Sequence, residues 1–335
     1  MAEALAQKLQ AALSRQLDGA VVVRDLARLT GGATKQTYAF TAQEGGSARR
    51  LIMQLTSVGE QVNSESEMTP RLNGEYDARL TMAAAAKGVL VPKVVCILHK
   101  DDGLGSGYVT EFVDGQTLGA KISRDPAFLP AHEKMTEQAG IMLARIHSID
   151  RATVPFLKEH GPQDQVRIYR RLVEHHSYRL PALEFGLRWA EQNVPQRNQL
   201  GVIHGDFRNG NFIATPEHGI RAILDWEIGQ LGDPMQDLGW FCVKTWRFGG
   251  SRPAGGFGTR EALFAAYEKE CGRTVDVEAV RFWEAFGSVK WAVMCLRKGL
   301  QYTEPGRRLE IEQCAIGRRV EEPLYDFFNL IEGRG

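Results

Sequence analysis

The chain changes its residue pattern once, sharply, near Val113-Asp114-Gly115. Before that point, short runs rich in β-branched and aromatic residues alternate with glycine pairs. The runs are Ala20 to Leu29, Gln36 to Phe40, Arg50 to Leu55, Val94 to Leu98 and Tyr108 to Val113, with Gly31-Gly32 and Gly45-Gly46 between the first three. Such runs predict an antiparallel meander. One helix should interrupt it, opening at Thr69-Pro70 and running through Glu75, Leu80 and Ala83 to Ala86 before Gly88. After residue 115 the period lengthens. Met135, Ala139, Met142, Leu143, Ile146 and Ile149 recur at three- and four-residue steps, one apolar stripe of a helix. Further helices are expected over 163–191, 234–247, 260–271, 276–300 and 308–331, with the Gly- and Pro-rich piece 249–256 as a loop. At 335 residues the chain is too long for one simple core. The expectation is an α+β fold of two lobes: a small antiparallel β-rich N-lobe over 1–113, with five strands and one helix, and a larger, mostly helical C-lobe over 114–335.

Charge and composition exclude several classes. Lys plus Arg and Asp plus Glu balance at 41 each, so nothing general attracts nucleic acid. No apolar run reaches the roughly 18 residues of a membrane span, and Met1 to Leu5 lacks the basic start of a secretion signal. Five scattered cysteines, without a C-x-x-C pair, read as reduced thiols. The expected setting is cytoplasmic, with no nucleic-acid or membrane partner, and a monomer or homodimer.

The chemistry concentrates in His204-Gly205-Asp206-Phe207-Arg208-Asn209-Gly210-Asn211 and Ile223-Leu224-Asp225-Trp226-Glu227. Phosphoryl transfer from a Mg²⁺ nucleotide needs a carboxylate to take the acceptor's proton, and oxygen ligands for the metal. Asp206 fits the base, and Asn211 and Asp225 fit the ligands of a hard cation. Arg208 could offset charge on the transferred phosphate. Val202-Ile203, Phe212-Ile213 and Ile223-Leu224 frame these polar residues as short apolar runs. Asp237 reads as an anchor of the loop backbone, and His204 as structural. Between the first two strands, Gly31-Gly32-Ala33-Thr34-Lys35 makes a tight loop whose amides could approach phosphates, or simply a hairpin turn.

With these residues the sequence resembles the aminoglycoside phosphotransferase and choline kinase-like family, which shares the protein-kinase fold. It looks most like the bacterial branch also found fused to acyl-CoA dehydrogenases. His204-Gly205-Asp206-Phe207-Arg208 with Asn211 matches that family's catalytic loop. Leu224-Asp225-Trp226-Glu227, Leu231-Gly232-Asp233-Pro234 and Asp237-Leu238-Gly239 match its metal-binding segment and the helix behind it. The resemblance implies ATP or GTP and Mg²⁺ as cofactors, and a small hydroxylated molecule as acceptor. It implies nucleotide contacts from Gly31, Gly32, Thr34 and Lys35, from Glu75 on the helix whose Glu pairs with a phosphate-gripping Lys, and from Glu111 and Val113 at the adenine hinge. The third strand departs from the pattern: Gln54 stands where that basic residue is expected, with Lys35 or Arg50 as candidate replacements. Gln54 therefore keeps a second reading open, a nucleotide-binding pseudokinase or regulatory module. The aromatic residues Trp240, Trp246, Phe248 and Trp291 lean towards an acceptor less polar than an aminoglycoside.

Overall fold

The computed structural model describes residues 2–17, 19–29, 35–56, 71–175, 179–196, 199–300 and 311–334. The expected loop residues Gly31, Gly32 and Thr34 lie outside them, as do Thr69-Pro70 and residues 301–310.

The first half is a five-stranded antiparallel sheet in the order β1-β2-β3-β5-β4. Its strands are β1 (Val21–Arg28), β2 (Lys35–Glu44), β3 (Ser47–Thr56), β4 (Val94–Leu98) and β5 (Gly107–Glu111). Alternation sorts the side chains. On β3, Leu51, Met53 and Leu55 are buried while Ile52 and Gln54 take the other face. The buried set packs against α1 (Ala2–Gln16), a helix absent from the sequence expectation, through Leu9, Ala12 and Leu13. That helix also covers an edge. Ser14 Oγ accepts from Val21 N–H at 3.0 Å, and Gln10 Oε1 from Val23 N–H at 3.2 Å, both on edge strand β1.

The second helix of this half, α2 (Gly74–Ala86), packs against β3, β4 and β5. Asn73 caps it, accepting from Tyr76 N–H at 2.9 Å. Gly74, a weak helix former on propensity, is where the first turn meets β5. A Cβ there would lie 2.5 Å from Gly107 Cα, so only glycine allows this approach.

The crossover between the halves is clamped. Gln116 and Ala214 exchange backbone hydrogen bonds of 2.8 and 3.0 Å. Gly115 has φ +151, and a Cβ on it would meet Ile213 Cγ2 at 2.6 Å. The chain then enters α3 (Gly119–Arg124), α4 (His132–His147), α5 (Pro162–His175) and α6 (Pro181–Asn193). The predicted stripe of α4 is buried at every member, from Met135 to Ile146, with Ile149 just beyond the helix.

Two antiparallel ribbons follow: β6 (Gly201–Ile203) with β9 (Gln230–Gly232), and β7 (Phe212–Thr215) with β8 (Gly219–Ile223). They are followed by α7 (Pro234–Cys242), α8 (Arg260–Cys271), α9 (Val277–Leu300), α10 (Ile311–Gly317) and α11 (Glu321–Ile331). The helix expected over 234–247 ends at Cys242 and resumes as a short 3₁₀ turn, Lys244–Arg247. Residues 318–320 break the last expected helix in two. Helix α9 packs against α7, α6, α10 and α11, and is apolar on most sides because it forms the middle of the helical core. All five cysteines are free, as expected. Among the described residues no helix is long and apolar enough to cross a membrane.

Candidate active site

The segment after β6 is held from behind by one buried carboxylate. Asp237, in the first turn of α7, accepts from His204 N–H at 2.7 Å and from Gly205 N–H at 2.9 Å. His147 Nε2 adds a contact at 3.3 Å, and its Nδ1 lies 3.0 Å from Tyr267 O–H. Burial works against the charge on Asp237, but these donors outweigh it and hold its pKa below the ordinary value. The loop backbone is thereby anchored as the sequence suggested. His204 is a strut. Its Nδ1 accepts from Asp206 N–H at 3.2 Å, so Nε2 carries the proton given to Leu224 C=O at 3.1 Å. Burial pushes its pKa down despite three nearby carboxylates, which keeps the ring neutral.

Asp206 is gripped on both oxygens. Oδ1 accepts from Trp240 Nε1–H at 2.7 Å and from Arg208 Nε–H at 3.0 Å. Oδ2 accepts from Asn211 Nδ2–H at 2.8 Å and from the same Arg208 group at 3.1 Å. The Arg208 guanidinium lies over the Trp246 ring, 4.5 Å from its centroid. Behind the loop, Asn209 Nδ2 donates to Ser123 Oγ at 2.8 Å and to Gly255 C=O at 2.9 Å, tying it to the Gly-rich segment after α7.

Asn211 and Asp225 sit at the open end of the β7–β8 hairpin. Phe212 pairs with Ile223, and Leu224 N–H donates to Asn211 C=O at 2.8 Å. The register thus fixes how far apart the two side chains start. Asp225 has φ +67, a left-handed backbone that costs an L-residue roughly 1–2 kcal/mol. Its side chain stays 36% exposed.

The third component comes from the sheet. Lys35 Nζ lies 2.6 Å from Asp77 Oδ2, 3.0 Å from Asp225 Oδ1 and 3.6 Å from Glu227 Oε2, with its side chain 9% exposed. Burial lowers the proton affinity of Lys35, but Asp77, Tyr108, Asp225 and Glu227 outweigh it and hold the ammonium well above its ordinary value. On Asp225, burial pushes the pKa up, and Lys35 more than reverses that. Tyr108 O–H donates to Asp77 Oδ1 at 3.0 Å; burial first, then the Asp77 charge, keep the phenol protonated. Arg71 Nη1 holds the other oxygen of Glu227 at 3.2 Å.

The expected nucleotide residues divide accordingly. Lys35 joins the cluster. Glu75 does not: it pairs with Arg79 at 2.9 Å on the outer side of α2, and Asp77 takes the inward place expected for it. Gln54 lies opposite Thr37 and Tyr108 in the register, so it shares the Lys35 face of the sheet. Arg50 turns away, over the Phe112 ring at 3.7 Å and towards Asp114 at 3.5 Å. Glu111 ends β5, its N–H given to Lys93 C=O at 2.9 Å, and Val113 lies two residues on, in the crossover. No sequence motif marks Asp77, Tyr108 or Lys290.

A cleft of about 180 Å³ opens beside Asp206, Arg208, Asp225 and Glu227. Its far wall carries Tyr169 from α5, Trp240 from α7, Trp246, and Lys290, Trp291 and Met294 from α9. Lys290 Nζ sits 4.3 Å from the Trp240 ring centroid and 5.8 Å from that of Tyr169. Two acidic residues of the tail pair elsewhere: Asp326 with Lys244 at 2.9 Å and Glu322 with Arg319 at 2.7 Å.

Among the described residues no group of three or more His, Cys, Asp or Glu is arranged as a self-contained metal site. Asp225 lines the cleft and Asn211 lies against Asp206, so each brings a hard oxygen donor to the site. Such a set suits a Mg²⁺ ion that completes its shell with nucleotide phosphates and water.

The family model "Phosphotransferase enzyme family" matches residues 25–283. Among solved structures, a Ralstonia eutropha JMP134 protein provisionally classed as an aminoglycoside phosphotransferase superposes with a TM-score of 0.74 at 21% identity, over 98% of each chain. Spectinomycin phosphotransferase APH(9)-Ia, solved with ADP and spectinomycin, gives 0.60 at 14% identity, over 96% of this chain and 98% of its own. Both likenesses show the two-lobed, kinase-like fold. Among curated proteins, mouse acyl-CoA dehydrogenase family member 10 is 32% identical over 184 residues, covering 50% of this chain and 16% of that longer protein.

Proposed function

Because the chain belongs to the phosphotransferase enzyme family, we propose that it moves the γ-phosphate of ATP to a hydroxyl of a small molecule. Asp206 accepts the hydroxyl proton as the acceptor oxygen bonds to phosphorus; the bond to the bridging oxygen breaks, and ADP leaves with that electron pair. Asn211 and Asp225 are the residues that would hold Mg²⁺, which when bound neutralises charge across the β- and γ-phosphate oxygens. Arg208 lies beside the base, at 3.0 Å, and is the cation for the transferring group. Glu111 C=O and Val113 N–H serve the adenine, and Gly31, Gly32 and Thr34 the phosphates.

The observation that carries this reading is the Lys35 cluster. Gln54 brings no charge, yet a buried ammonium, fixed by Asp77, lies 3.0 Å from Asp225. It can serve the α- and β-phosphates from β2 instead of β3. The competing reading, a nucleotide-binding module without turnover, has Gln54 in its favour. ATP consumption against a panel of alcohols separates the two, with Asp206→Ala as the control. Turnover that falls by a hundredfold or more in the variant supports catalysis; nucleotide binding without consumption in the wild type supports the module.

The acceptor side carries Lys290 and three tryptophans, Trp240, Trp246 and Trp291. That wall favours a partly apolar alcohol over a polycation.

A further inference from the structure

We infer that Trp240 is a positioning residue for Asp206, an inference that rests on the phosphotransfer reading. The geometry begins with α7. Asp237 and Trp240 are three residues apart and so share one helix face. Asp237 holds the loop backbone at His204 and Gly205, at 2.7 and 2.9 Å. Trp240 holds the carboxylate that follows, its indole N–H 2.7 Å from Asp206 Oδ1. One rigid element therefore fixes both the loop and the group the loop presents.

The indole itself cannot swing. Lys290 lies over its ring, 4.3 Å from the centroid, and the Trp246 ring packs against it at 5.1 Å. Helix α7 is in turn fixed to α9. Asp233, its N-cap, accepts from Trp283 Nε1–H at 2.8 Å, and Gly239 meets Trp283 too closely for a Cβ.

A carboxylate offers about four acceptor positions. On Asp206 the protein donors are Trp240, Asn211 and the shared Arg208 group. The carboxylate plane is set by Trp240 on one oxygen and Asn211 on the other, with the Arg208 group shared between the two. Of these donors Trp240 alone is neither a proposed metal ligand nor a proposed phosphate contact. Its role is to aim the base.

Trp240→Phe keeps a ring and removes the N–H. Losing a hydrogen bond to a charged group should lower kcat roughly tenfold or more, with KM for ATP unchanged. A purely structural tryptophan would instead lower thermal stability and leave kcat per folded molecule intact. The contact has its own readout, independent of turnover. In ¹⁵N-tryptophan-labelled protein, the Nε1–H resonance missing from Trp240→Phe should move upfield in Asp206→Ala. An unmoved resonance, or an unchanged kcat, overturns the inference. A shifted resonance in a wild type that phosphorylates no acceptor overturns the phosphotransfer reading, and the positioning role with it, while the contact stands.

Discussion

The ammonium of Lys35 sits 2.6 Å from the buried carboxylate of Asp77, joining strand β2 to helix α2 beside Asp225. The pair has no counterpart on β3, where Gln54 faces the same side of the sheet. Removing one partner of a buried pair strands the other charge and costs about 3–5 kcal/mol. Lys35→Met should therefore lower both stability and kcat/KM for ATP, the latter by a hundredfold or more. Adding Gln54→Lys should return part of that activity, because position 54 faces the Lys35 side. Steady-state kinetics of the single and double variants check this, and an inert Gln54→Lys in the Lys35→Met background counts against a shared site.

Asp237 accepts two loop N–H groups and touches His147, all out of contact with water. In Asp237→Ala each orphaned buried donor costs about 1–3 kcal/mol. Denaturant unfolding should show a loss of at least about 2 kcal/mol, and a loss near zero means the loop holds itself.

Acid should destabilise the protein below neutrality. Burial keeps the folded His204 pKa below 6.5, and burial does the same to His160. Their contributions are complete above pH 6.5 and are lost as pH falls, because the unfolded chain binds protons that the folded chain refuses. Each adds a slope of at most about 1.4 kcal/mol per pH unit. Asp225 and Asp237, held below 3.8, add a second loss at lower pH, since their contributions need ionised carboxylates. His204→Gln should flatten the unfolding free energy between pH 6.5 and 5 without abolishing the slope.

Lys290, Arg208 and Arg71 line the cleft, and its carboxylates are Asp206, Asp225 and Glu227, the first two assigned to the base and the metal. Kanamycin-like polycations should be turned over poorly. Efficient phosphorylation of one, measured as ADP released per enzyme, contradicts this view of the acceptor wall.

Much of this was legible in the chain. The stripe from Met135 to Ile149 specified α4 because one buried face repeats at the helical period. Asp206 and Asn211 touch because they share one short loop. The Asp77 role was also available to the period. Asp77 falls in the buried stripe with Gly74, Ala78, Thr81 and Ala84, whereas Glu75 falls with Arg79 on the outer face. Glu75 holds the motif position, while the helix turns Asp77 towards Lys35. Helix α1 had its signals too, Leu5, Leu9 and Leu13 at four-residue steps among strong helix formers. By contrast, the Trp240–Asp206 and Lys290–Trp240 contacts join residues far apart in sequence, and no local spacing encodes them.

The most direct measurement follows the γ-phosphate itself, from labelled ATP into a panel of hydroxylated acceptors, for wild type and Asp206→Ala at matched nucleotide occupancy. Wild type should label an acceptor with one ADP formed per transfer, and the variant should bind ATP equally well yet transfer at least about a hundredfold more slowly. Equal rates in the two proteins, or ATP bound by wild type and left intact with every alcohol, would contradict Asp206 as the base.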